Sequence, residues 1–175
     1  MDKEVEKKIK KDKKYLKKTM KEYSGYQKIE NREQSEKALK KLIINELKTV
    51  SDDLKKVHDK AISDYNISIW EDIDSLLSDL EVQILKIKTL DYGDTTFFSS
   101  PKLKDVNPDY LYVLDAKLVK KLKDIEVEDL DKSVKEGQIN QTKENIEKIT
   151  KRLETVKKLY KMREKTIKEY KKVKF

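Results

Sequence analysis

Apolar residues recur along most of this chain at helical intervals, with lysine and glutamate between them. The longest unbroken run is Ile43, Leu47, Val50, Leu54, Val57 and Ala61, at spacings of 4, 3, 4, 3 and 4. Residues so spaced share one side of an α-helix and form a seam that needs a partner helix. Leu39, Leu42 and Ile62 widen that face. A second seam follows at Trp70, Ile73, Leu77, Leu80, Ile84 and Ile87, and it lies in the most hydrophobic stretch of the chain. That stretch belongs at the centre of a bundle. Ser68 and Glu71 have the spacing of a capping box, and Asn31 or Ser35 would cap the helix before it. Near Val82–Leu90 apolar and polar residues also alternate, so a short strand is an open alternative there.

The flanking segments are weaker or longer. Residues 2–24 place Val5, Ile9, Leu16, Met20 and Tyr23 at helical spacing, but Asp12-Lys13 interrupts the stripe. This first helix, within 1–25, is expected to pack loosely, and Gly25 fits a C′ stop. Residues 91–107 are irregular, with Gly93, two Thr, Phe97-Phe98, two Ser and Pro101. Asn107-Pro108 reads as a cap followed by proline at the first helical position. Leu111, Leu114, Leu118, Leu122 and Ile125 then form a helix, and an acidic, less regular stretch closes at Gly137. The last helix, 139–174, carries Ile146, Ile149, Leu153, Val156, Tyr160, Ile167 and Tyr170, with Arg163 in one seam slot. Either that helix drifts around its partner, or its last turns leave the bundle near residue 162. The pattern predicts an all-α fold: an antiparallel bundle of four to five helices with a long C-terminal helix and one irregular loop near 91–107. A single domain over 1–175 accommodates it.

Charge changes the picture. The net charge is +8, but residues 1–30 hold 11 Lys against 6 acids, and residues 138–175 hold 13 Lys and Arg against 5 Glu. The middle is acidic. Partners for charge are therefore expected at the two terminal helices. The chain has no Cys, which excludes disulfides and thiolate metal sites. No stretch approaches the roughly 18 apolar residues of a membrane span, and the N-terminus is Lys-rich without an apolar core, so a cytoplasmic protein without membrane insertion is expected. Lys/Glu enrichment resembles hyperthermophile composition, and an AT-rich genome gives the same bias.

Candidate chemistry is sparse. His58 is the only histidine, and one His without Cys does not build a zinc site; it reads as a boundary residue. Glu71, Asp72, Asp74, Asp79 and Glu81 crowd one helix, where a carboxylate-bound metal is the sharp reading and a solvated acidic face the plain one. No Walker loop, dinucleotide fingerprint, nucleophile elbow or zinc-protease motif occurs, and no cofactor is implied. An enzyme is not expected. Lys7-Lys8, Lys10-Lys11, Lys13-Lys14 and Lys17-Lys18 read as spread around the first helix rather than gathered in one stripe. The basic surplus is sharpest on the last helix. Lys151, Arg152, Lys158, Arg163, Lys165, Lys168 and Lys172 are the candidate anion- or nucleic-acid-binding residues there. Phe97 and Phe98 either plug a bundle end or dock a partner.

One stretch resembles a known family. Ser99-Ser100-Pro101-Lys102-Leu103 through Asn107-Pro108-Asp109-Tyr110 is similar to the helix start near the beginning of archaeal GINS replication subunits. Leu159-Tyr160-Lys161-Met162-Arg163-Glu164-Lys165-Thr166-Ile167 is similar to a later helix of that family. The match spans 99–175 and departs from the family in two ways: helical residues precede it, and the family's small β-rich domain has no counterpart. The resemblance implies a non-enzymatic adaptor joining replication machinery through protein contacts. The reading that follows is a helical interaction or scaffold protein, with a protein partner, a second copy or nucleic acid as its ligand. Direct, sequence-independent nucleic-acid binding by the basic terminal helices is its first rival, and a carboxylate-dependent metal enzyme its second.

Overall fold

The computed structural model describes residues 2–63, 66–100 and 108–170. The fold is all-α. Among the described residues the helices are α1 (Lys3–Thr19), α2 (Ile29–Ser63), α3 (Ile67–Lys88), α4 (Pro108–Lys123), α5 (Glu128–Lys135) and α6 (Ile139–Lys168). Five of them run 16 residues or more, and α5 is an eight-residue helix in the acidic stretch before Gly137. None is long and apolar enough to cross a membrane. Packing divides the chain into two compact units, and α6 contributes residues to both, as do α2 and α4. The first unit comprises Met1–Ile43, Leu90–Lys120 and Lys158–Phe175; the second comprises Ile44–Thr89 and Lys121–Lys157.

In the second unit the seams pack as their spacing demands. Leu47, Val50, Leu54, Val57 and Ala61 of α2 are buried, as are Ile73, Leu77, Leu80 and Ile87 of α3 and Ile149, Leu153 and Val156 of α6. Each of these Leu, Ile and Val side chains contributes about 1.5–3 kcal/mol by leaving water, and Ala61 less. Two details differ from expectation. Asn66, not Ser68, caps α3, its side chain accepting from the Ile69 N–H. The 82–88 segment is helix and not strand: Gln83 takes a buried position, while Val82 and Leu85 face outward. A buried polar tie sits at the α5–α6 connection. The Asn145 amide donates to the Asp129 carbonyl at 3.1 Å and to Ser133 Oγ at 3.2 Å.

The first unit is built differently. α1 is capped by Asp2, buries Ile9 and Leu16, and ends at Thr19 rather than near Ser24. The interruption at Asp12 is not a packing fault. Asp12 is buried, and Lys120 of α4 donates to it at 3.0 Å. Lys13 reaches Asp109 of α4 at 3.1 Å, so charge completes the contact that apolar residues begin. Gly25 does not end α1. Its φ is +98°, and a Cβ there would lie 2.3 Å from the Tyr112 hydroxyl oxygen. Glycine lets the backbone reach that hydroxyl, which accepts from the Tyr26 N–H at 2.7 Å. α2 begins at Ile29, earlier than Asn31, and Ser35 caps nothing. Its buried hydroxyl accepts from the Gly25 N–H at 2.8 Å and donates to the Gly25 carbonyl at 3.1 Å, fixing the connection. α4 opens on Pro108; Asn107, its expected cap, lies outside the described residues. At the far end of α6, Thr95 and Thr96 donate to the Tyr170 carbonyl at 3.3 and 3.4 Å, and Thr95 Oγ1 also donates to that of Ile167. The irregular loop thus satisfies carbonyls that a helix end leaves open.

Candidate functional site

The densest chemistry in the molecule is a knot of buried charge in the first unit. Arg163 of α6 is fully buried, with Asp115 of α4 and Glu36 of α2 against it. Its Nε donates to Asp115 at 2.7 Å, and its Nη1 to the Tyr92 hydroxyl at 3.0 Å. Its Nη2 donates to Glu36 and, at 2.9 Å, to the Tyr26 hydroxyl. Tyr23 donates to Asp115 at 2.9 Å, Tyr26 donates to the same carboxylate oxygen, and Tyr92 donates to Glu36. Every face of the guanidinium meets an acceptor. Lys40 lies 3.9 Å from Glu36, so two cations balance two carboxylates.

The surroundings drive the two carboxylates apart. Burial pushes the Asp115 carboxyl above its ordinary range, and the Arg163 charge with hydrogen bonds from Tyr26, Arg163 and Tyr23 offsets this only in part. Burial acts the same way on Glu36. There the Arg163 charge, hydrogen bonds from Arg163 and Tyr92, and the Lys40 charge outweigh it and hold Glu36 below the usual carboxylate range. Burial would lower Arg163, but Asp115 and Glu36 reverse that and keep it charged. Burial also raises the Tyr23, Tyr26 and Tyr92 phenols, which therefore stay protonated and serve as donors.

A second buried guanidinium, Arg32, sits nearby in the same unit, and among the described residues no carboxylate is bonded to it. It donates to the carbonyls of Tyr26 at 2.8 Å, Phe97 at 2.8 Å and Ser100 at 2.6 Å. Burial lowers its pKa, and its Nη2 is buried with no hydrogen-bond partner. Arg32 and Arg163 thus tie the connections before α2 and after α3 to the helices. Chemically the knot can orient and hold, but its charged groups are turned on one another. A reaction would need a substrate to reach atoms that are 0% exposed at Arg163 and Asp115.

The residues singled out from sequence fall into three sets. Arg163 is the centre of the knot, so it meets no solute, and the helix does not leave the bundle after 162: Ile167 and Tyr170 are buried too. Lys158, Lys165 and Lys168 in the first unit, and Lys151 and Arg152 in the second, are exposed. Most of these are engaged. Lys151 pairs with Glu147 at 3.0 Å, Lys168 with Glu164 at 2.7 Å, Lys165 with Glu169 at 3.8 Å, and Arg152 donates to the Asp124 carbonyl at 2.9 Å. Lys172 lies outside the described residues. Phe97 is a plug, 0% exposed, with edge contacts to Tyr26, Phe98 and Tyr170; Phe98 is half-buried. Phe97 therefore presents no surface to a partner. His58 packs its ring 5.5 Å from Trp70 in the second unit, with Asp74 3.7 Å from Nε2. Among the described residues no group of three or more His, Asp or Glu is placed to hold a metal ion, and Asp79 of the acidic helix pairs with Lys157.

The knot partners were missed by sequence reasoning, although a signal exists. Arg32 and Glu36 continue the spacing of Leu39 and Ile43 backward, and Asp115 falls between Leu111 and Leu118 at spacings of 4 and 3. Charges of opposite sign in the seam slots of separate helices are the trace of a buried ion pair. The lysines of α1 spread over about 220° of arc as expected, but most of the exposed ones gather on one side. With Ile9, Asp12 and Leu16 turned inward, Lys3, Lys7, Lys8, Lys10, Lys11, Lys14, Lys17 and Lys18 are all exposed. At 100° per residue all of these but Lys8 fall within about 120° of arc, so seven form one stripe and Lys8 lies about 60° beyond its edge. No family model, curated protein or solved structure matches the chain.

Proposed function

We propose that the chain is a non-catalytic interaction protein, a helical scaffold whose surface does the binding. One observation carries this reading. The cluster with the most chemical capacity, Arg163 with Asp115, Glu36 and three tyrosines, has its charged groups buried and hydrogen-bonded to one another, with half-buried Tyr92 at its edge. Such a knot specifies which helices meet and in what register, which is the best-attested use of buried charge. The resemblance of 99–110 and 159–167 to GINS subunits points toward an adaptor in a nucleic-acid-associated assembly; residues 101–107 of it lie outside the described residues. The test is isolation of the full-length chain from its native cells at physiological salt, with and without nuclease. Defined protein partners in fixed stoichiometry should survive nuclease treatment. A chain recovered alone under both conditions would overturn the scaffold reading.

A second reading is favoured by a separate observation. Exposed lysines on both terminal helices, Lys158 and Lys161 of α6 and the stripe of α1, form no ion pair among the described residues. They suit direct, sequence-independent contact with phosphates. In that case the partners recovered above would be lost on nuclease treatment, and purified chain would bind nucleic acid with steep salt dependence.

A further inference from the structure

We propose that the outward stripe of α1 is a binding surface for the phosphate backbone of duplex nucleic acid. This rests on the second reading above and narrows the contact to α1. The first ground is uncompensated charge. Among the described residues none of the seven stripe lysines has an ion-pair or hydrogen-bond partner: Glu4 and Glu6 of the first turn flank the stripe without pairing with it, and from Lys7 to Lys18 the one acid, Asp12, is buried against Lys120. On α6 Lys151, Lys165 and Lys168 instead find glutamates one turn away. Lysines three and four apart on a helix repel, and a polyanion removes that repulsion. The second ground is rigid presentation. Ile9 and Leu16 are buried, and Lys13–Asp109 at 3.1 Å and Lys120–Asp12 at 3.0 Å clamp α1 to α4. The stripe is held ready, so binding need not order a helix. The third ground is spacing. From Lys3 to Lys18 the helix rises about 22 Å, one cation every 3–4 Å, close to the ~3.4 Å axial interval between charges on one DNA strand.

The chemistry of the face selects the ligand. Single strands are held largely by bases stacking on aromatic side chains, and the stripe has none. Tyr15, the aromatic residue of α1, is half-buried with the Lys120 ammonium 4.9 Å from its ring centroid. A helix that lies on a membrane needs an exposed apolar face. Here Ile9 and Leu16 pack inward, and exposed Val5 lies on their side of the helix, away from the stripe. All seven cations are lysine, which neutralises phosphate as a point charge without the bidentate fork that reads base edges. Binding is therefore independent of sequence.

The experiment is a titration of a fluorescently labelled duplex of about 30 base pairs with the full chain at about 50 and 200 mM salt, read by anisotropy. One variant carries K7Q, K10Q, K14Q and K17Q; a comparison variant carries K151Q, K158Q, K165Q and K168Q. Circular dichroism and melting establish that each is folded. The α1 variant should bind at least about tenfold more weakly at low salt, with the log–log salt slope reduced by about three to four, while the α6 variant stays within about threefold of wild type. Should the α1 variant not fold, K7Q/K10Q and K14Q/K17Q should each remove about half of that slope change. Unchanged duplex binding by the α1 variants, with loss in the α6 variant, overturns the proposal and leaves the second reading standing. No duplex binding by wild type at low salt overturns both. Tighter binding to the single strand, or to phosphatidylserine vesicles in place of duplex, overturns the choice of ligand.

Discussion

Asp115 and Glu36 flank one guanidinium, yet burial and partners displace them in opposite directions. That difference makes the knot testable one residue at a time. Glu36 titrates below its unfolded value of about 4.3, so it stabilises the fold above that pH and the contribution is lost as pH falls through its depressed value. Asp115 titrates above its unfolded value of about 3.9, so its contribution is fully present below that pH and is lost as pH rises through the raised value. Urea melts across roughly pH 3 to 7 should therefore show the cost of Glu36→Gln growing with pH and the cost of Asp115→Asn shrinking. Two profiles that move together would contradict the arrangement. Arg163 was legible as an anomaly, a cation in an apolar slot. Its meaning was not, because sequence spacing places a residue on a face without saying what that face meets.

At the level of elements, helices were readable wherever an apolar seam was long. The α2 and α3 seams in the second unit packed as their spacing required, since 3.6-residue periodicity and burial point the same way there. Boundaries were less readable. α1 stops at Thr19, although Met20 and Tyr23 continue its spacing and are buried. Their burial comes from the connection folding back, which periodicity does not distinguish from another helical turn. Gly25 marks that connection, and its role is contact with Tyr112 rather than termination. Gly25→Ala forces a side chain into a positive-φ position and displaces the tyrosine hydroxyl that accepts from the Tyr26 N–H. The expected loss is about 1–3 kcal/mol, measured by chemical denaturation. Gly93 has the same sign of φ but open space around it, so Gly93→Ala serves as the control for backbone strain alone.

For the whole molecule, fold class followed from pattern and charge together, because solvated lysine and glutamate between apolar positions leave little but helices. The division into two packed units was not legible. α2, α4 and α6 run through it without a glycine or proline to mark the place. The placement of aromatic residues then gives each unit its own optical signature. The only tryptophan, Trp70, stacks with His58 in the second unit. The described tyrosines, among them Tyr23, Tyr26, Tyr92 and Tyr112 in and around the knot, fall in the first. Tryptophan emission therefore follows one half of the protein, and near-ultraviolet tyrosine dichroism is dominated by the other, whose residues include eight of the nine tyrosines. With three helices continuous through both, the two signals should lose their native values at the same denaturant concentration. Separate midpoints would show that the halves melt independently, without a single label having been attached.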